Sequence, residues 1–165
     1  MLPETGISSV ILARETESGQ IAMAAFLVDA FALGIKDAMF DVVEHSDFKF
    51  QISLLNEGAP LVPVEPSRAR KLLRDAAAYA ASLGLRPHRG FVATEQLFGD
   101  VRAEDCSETF AFGHDGKPVY MVGPSETAAQ IVRRLENMTE RLGPGGFDLV
   151  IPAGDEVEEG ADADS

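Results

Sequence analysis

Two stretches of this chain are apolar on one side only, and a helix of that kind must lie on something. In 67–83, Ala69, Leu72, Leu73, Ala76, Ala80 and Leu83 fall on one helical stripe, with Arg68, Lys71, Arg74 and Asp75 largely opposite. In 125–142 the stripe is Ala128, Ile131, Val132, Leu135, Met138 and Leu142. Ser67 and Ser125 are placed to cap these helices, and Gly84 and Gly143 to end them. The sequence must therefore also supply a pleated layer for them to cover.

Residues 7–14 (ISSVILAR) and 20–29 (QIAMAAFLVD) surround a short polar loop ending in Gly19, which predicts a β-hairpin. The second run alternates only loosely and reads as a central strand. Past Gly34, the residues Ile35, Met39 and Val42 or Val43 have helical spacing and predict a short helix or turn. Phe48, Phe50, Ile52 and Leu54 alternate with Lys49, Gln51 and Ser53, which predicts a strand. Pro60, Pro63 and Pro66 make the next stretch irregular, and 91–98 reads as a second short helix. Asp115-Gly116 between TFAFG and PVYMV predicts another hairpin, and FDLVI (147–151) a last strand. The expectation is an α+β fold. One domain over 1–152 holds a mostly antiparallel or mixed sheet under helices 67–83 and 125–142, and an acidic disordered tail follows over 153–165.

Composition narrows the function classes. The 165 residues carry a formal net charge of −13, which repels phosphate backbones and argues against a nucleic-acid partner. Basic residues gather at Arg68, Arg70, Lys71 and Arg74 and at Arg133, Arg134 and Arg141, where they read as solvated helix faces. Cys106 is the one cysteine, and no secretion signal or membrane-length apolar run is present. That pattern predicts a soluble cytoplasmic protein with a reduced thiol. The acidic neighbours of Cys106 argue against a nucleophile.

The candidate site residues come from the punctuated segments. Asp29 ends a strand, and Lys36 and Asp37 follow a glycine bend, a place where catalytic side chains can converge. Asp29, Asp37 and Asp41, with Glu44, are the candidates for a carboxylate magnesium site. Candidate ligand-binding residues are His88 in the LRPHRG turn, Lys117 in GHDGKP and Ser125 in GPSET, before a helix start. GHDGKP lacks the spacing and context of a phosphate-binding loop, and His45, His88 and His114 lack zinc-ligand spacing.

The segments GQIAMAAFLVDAFALGIKDAMF (19–40), AAAYAASLGLRPH (76–88), FGHDGKP (112–118) and GPGGFDL (143–149) resemble a bacterial domain family for which no activity is established. The resemblance extends over most of 8–151 and implies a domain without implying a mechanism. It marks Asp29, Gly34, Lys36, Asp37, His88, Asp115, Gly116 and Lys117. The family often has a cysteine before the Leu-Gly of the first segment. Ala32 stands there in this chain, so no thiol chemistry carries over. The functional expectation is non-catalytic binding of a partner protein or a small ligand. The alternative is a magnesium-dependent hydrolase or nuclease-like enzyme using Asp29 and Asp37 with Lys36.

Overall fold

In the computed structural model, residues 5–152 are described. The expected tail over 153–165 lies outside them. Strands β1 (Ile7–Glu15), β2 (Ile21–Asp29) and β3 (Gly34–Val43) form an antiparallel sheet in the order β1-β2-β3. Gly19, at φ 82°, closes the first hairpin as expected. Helices α1 (His45–Gly58), α2 (Pro66–Ser82) and a short α3 (Phe91–Glu95) follow. Beyond them, β4 (Val119–Met121) pairs in parallel with β5 (Asp148–Val150) across α4 (Ala128–Leu142). The fold is α+β.

Two elements correct the sequence reading. The stretch from Gly34 to Val43 is a strand and not a helix. Its pairing with β2 jumps from Leu27–Asp37 to Val28–Ile35, so Lys36 is the extra residue of a β-bulge. The bulge turns Ile35 and Ala38, three apart, into the same core, whereas Met39 and Val42, which completed the helical spacing, are exposed. The stretch predicted as a strand at 48–54 is helix α1. Its four alternating apolar residues divide by fours. Phe48 and Ile52 are half-buried, whereas Phe50 and Leu54 are exposed.

The helix caps also differ from expectation. Pro66 takes the first position of α2, where its missing N–H costs nothing, and Glu65 stands before it in place of Ser67. Thr127 caps α4 through a reciprocal box with Gln130, so Ser125 lies ahead of the helix. The Asp115-Gly116 turn forms, with φ 50° and 78° and paired bonds between His114 and Lys117. Its flanks do not pair with each other as a longer hairpin. Gly113 N–H donates to Ala30 O and Val119 N–H to Phe31 O, so both flanks hang from the β2–β3 turn.

Two cores result. In the first, α2 presses Leu73 and Ala76 onto Ala24, Phe26, Val28 and Ile35, with Phe91 and Phe98 against Phe26. The approach is close: a β-carbon on Gly34 would sit 2.5 Å from Ala76 O. In the second core, Met138 of α4 meets Ala32, Leu33, Leu83, Leu85 and Tyr120. Ala32 and Leu33 of the β2–β3 turn thus belong to the second core, while Val28 and Ile35 on either side of the turn belong to the first, and Ala30 N–H bonds to Gly6 O.

Candidate functional site

A groove of about 520 Å³ opens where the start of β3, the turn after α2 and the face of α4 meet. Leu33, Ile35 and Leu85 form an apolar floor. Lys36, Arg86, His88, Arg133 and Arg134 stand around it, with the amides of Gln130 and Asn137.

Each cation has its own support. Lys36 reaches the groove because it is the bulge residue, and bulges commonly re-aim a side chain in this way. The turn carrying Arg86 and His88 is stapled to the strand by the His88 N–H to Ile35 O bond, 2.8 Å. His88 Nδ1 accepts from Gly90 N–H at 3.2 Å, which leaves the ring proton on Nε2, 3.7 Å from Asp37 Oδ1. On α4, Arg134 bonds to Glu126, whose other oxygen accepts from Tyr120 Oη at 2.7 Å and Gly123 N–H at 3.1 Å. The Arg134 guanidinium lies over the Tyr120 ring. This clamp fixes the α4 face from which the neighbouring Arg133 extends. Gly123 closes the wall beside Lys36: a β-carbon there would stand 3.4 Å from Lys36 Nζ.

The charge distribution is unusual for so acidic a chain. Arg134 is neutralised by Glu126, and His88 faces Asp37. Among the described residues, no carboxylate lies within ion-pair distance of Lys36, Arg86 or Arg133. Three cations thus share one concavity over an apolar floor, an arrangement that attracts an anion and desolvates its apolar portion.

The structure brings together Lys36 and His88 among the residues marked in the sequence, with Asp37 at the margin beside His88. Asp29 is 2% exposed, and its Oδ1 accepts from Phe31 N–H at 2.9 Å and Ala32 N–H at 3.1 Å, holding the β2–β3 turn. Burial raises its pKa above the ordinary carboxylate value, against the opposing pull of those backbone bonds and of Lys36. Nearby, burial and the Asp29 charge push the Tyr79 hydroxyl up to about 12, so it stays a donor, to Phe31 O. Asp37 is exposed and accepts from Ala38 N–H, and Asp41 is exposed and accepts from Val42 N–H. Asp37 and Asp41 belong to strand β3 and Glu44 follows it, so the three do not share a helix face. Among the described residues, no three His, Cys, Asp or Glu side chains are grouped so as to hold a metal ion. Lys117 pairs with Asp148, and Ser125 is exposed before α4; neither lines the groove.

Arg86, Arg133 and Arg134 escaped the sequence reading because two of them look like part of a solvated helix face. The usable signal was the spacing of Gln130, Arg133, Arg134 and Asn137, which sets four hydrogen-bonding side chains on one side of α4.

The fold and groove together define an α+β domain with a cationic concavity. No protein-family model, curated protein or solved structure matches the chain. No helix among the described residues is long and apolar enough to cross a membrane.

Proposed function

We propose that this chain is a binding domain for a small organic anion, a carboxylate or phosphate carried on an apolar body, held in the α4–β3 groove. One observation carries the reading: Lys36, Arg86 and Arg133 converge on one concavity, without carboxylate partners among the described residues, in a chain of net charge −13. The floor of Leu33, Ile35 and Leu85 would receive the apolar body, and the amides of Gln130 and Asn137 supply directional bonds. The reading places the protein in the cytoplasm, where Cys106 stays a thiol. It keeps the resemblance to the bacterial domain family as support for a domain only. No observation favours magnesium hydrolysis at Asp29 and Asp37.

Phenyl phosphate and inorganic phosphate test it by calorimetry and thermal shift. Phenyl phosphate should bind more tightly than phosphate, through the apolar floor. Lys36→Gln and Arg133→Gln should each weaken phenyl phosphate about tenfold, the loss of one charge-assisted bond at a half-exposed site. No binding of either anion, or equal binding by wild type and both variants, would refute the assignment.

A further inference from the structure

The connection from α1 to α2 repeats in threes. Pro60, Pro63 and Pro66 recur at every third position of 59–66, APLVPVEP, and make two overlapping PxxP units. Each proline fixes its own φ near about −65° and biases the residue before it toward extended backbone. Those preceding residues are Ala59, Val62 and Glu65, so only Leu61 and Val64 escape a proline's constraint. The backbone agrees with this pattern. Glu65 has φ −61° and ψ 134°, which are polyproline II values, and Ala59 is extended at φ −156° and ψ 130°. Among the described residues, 60–64 make no backbone–backbone hydrogen bond, as in a polyproline II helix, whose backbone is left to solvent. The Asn56 side chain takes the Leu61 N–H at 2.9 Å and Pro66 opens α2, so the segment is held at both ends.

Every residue of 59–66 is exposed, with Val62 at 75%. A connection that only joined two helices could be polar, yet this one shows Leu61, Val62 and Val64 to solvent beside its prolines. Three residues per turn put Pro60, Pro63 and Pro66 along one edge, Leu61 and Val64 along the second, and Val62 and Glu65 along the third. None of these residues lines the α4–β3 groove, so this surface is separate from the anion site.

We propose that 59–66 is a polyproline II ligand, read by an aromatic-lined groove on another protein that carries basic residues beside that groove. Grooves of this kind recognise PxxP segments because the helix is already formed and loses little freedom on binding. Charge selects the rim of the partner. Glu57 and Glu65 border the prolines, and neither has an ion-pair partner among the described residues. A second copy of this chain is a poor reader. It brings the same net charge of −13 and no tryptophan. Its Tyr79 is stacked on Phe112, and its Tyr120 is buried under Arg134. Its exposed Phe40 and Phe50 stand among Asp41, Glu44 and Asp47, which would meet Glu57 and Glu65 with like charge.

Titration with purified SH3, WW and EVH1 domains as probes tests the proposal, read by the probes' own tryptophan fluorescence. This chain has no tryptophan, so the signal reports the probe's groove alone. A probe whose groove is flanked by Arg or Lys should saturate, and salt should weaken its binding. Pro60→Ala with Pro63→Ala should weaken that binding by about tenfold or more, while helical circular dichroism and cooperative melting persist. Pro66 stays in place because it opens α2. Failure of all three probe classes to saturate overturns the proposal and leaves a rigid spacer. So does binding that the folded Pro60→Ala, Pro63→Ala variant keeps in full, or binding that salt does not weaken. A wild type at twice the chain mass of 17.7 kDa by light scattering, returned to the single-chain mass by the same variant, would give the segment to a second copy and also overturn it.

Discussion

Asp29 is the sharpest place to separate a structural carboxylate from a chemical one. Its Oδ1 accepts two backbone N–H groups in a turn where Ala32 is fully buried and Phe31 half so. Asp29→Ala removes both acceptors. An unsatisfied buried donor costs about 1–3 kcal/mol, and with one of the two only partly buried the sum is about 3 kcal/mol. At this chain length each kcal/mol moves the midpoint by about 2–4 °C, so the melting temperature should fall by about 6–12 °C. Asp29→Asn keeps a carbonyl oxygen in place and should cost less than about 1 kcal/mol. The sign of its pH dependence is fixed by burial. The folded pKa of Asp29 is raised, so whatever stability it contributes is fully present below the unfolded value and is lost as pH rises through the folded value. Relative to wild type, Asp29→Asn should therefore gain stability between acid and neutral pH. Urea unfolding of the three proteins at several pH values measures all of this, with phenyl phosphate affinity as the companion readout. Asp29→Asn as damaging as Asp29→Ala would refute the acceptor role. Loss of anion binding by a fully folded Asp29→Asn would move Asp29 into the groove chemistry.

Gly34→Ala should destabilise by about 3 kcal/mol or more in denaturant unfolding, because the residue sits at φ 65° and its new β-carbon meets Ala76 O at 2.5 Å and Ala80 Cβ at 2.8 Å. Glu95 receives Arg70 and Arg74, each at 2.7 Å; burial pushes its pKa up, but the two guanidiniums outweigh that and hold it below the ordinary range. Its contribution is therefore present above the unfolded pKa and lost as pH falls through the folded one. Glu95→Gln should cost about 2 kcal/mol at pH 7, less than a fully buried pair because Arg74 is half-exposed, and the gap to wild type should close in acid.

The parts of the fold legible in the sequence were those with one competing explanation. The α2 stripe, the Gly19 hairpin and the Asp115-Gly116 turn are local patterns with a local cause, and all three form. The misread stretch at 35–43 failed because Ile35, Met39 and Val42 repeat at helical spacing without sharing a buried face: Ile35 is in the core, whereas Met39 and Val42 are exposed on the strand. The misread stretch at 48–54 failed because α1 has no buried face for periodicity to report. Lys36 and His88 could be marked from their neighbourhoods. Arg133 could not, since its meeting with Lys36 depends on α4 crossing the end of the sheet, a contact between distant segments of chain.

The four residues of the β2–β3 turn are the knot through which the halves of the molecule are tied. Carbonyls there receive amides from the 113–119 region, a buried carboxylate braces it from inside, one hydrophobic cluster holds its Ala32 and Leu33, and the other holds Val28 and Ile35 on either side of it. Neither half can loosen without stripping partners from the other. The domain should therefore melt as one cooperative unit, and fragments split between α3 and β4 should fold only when both are present.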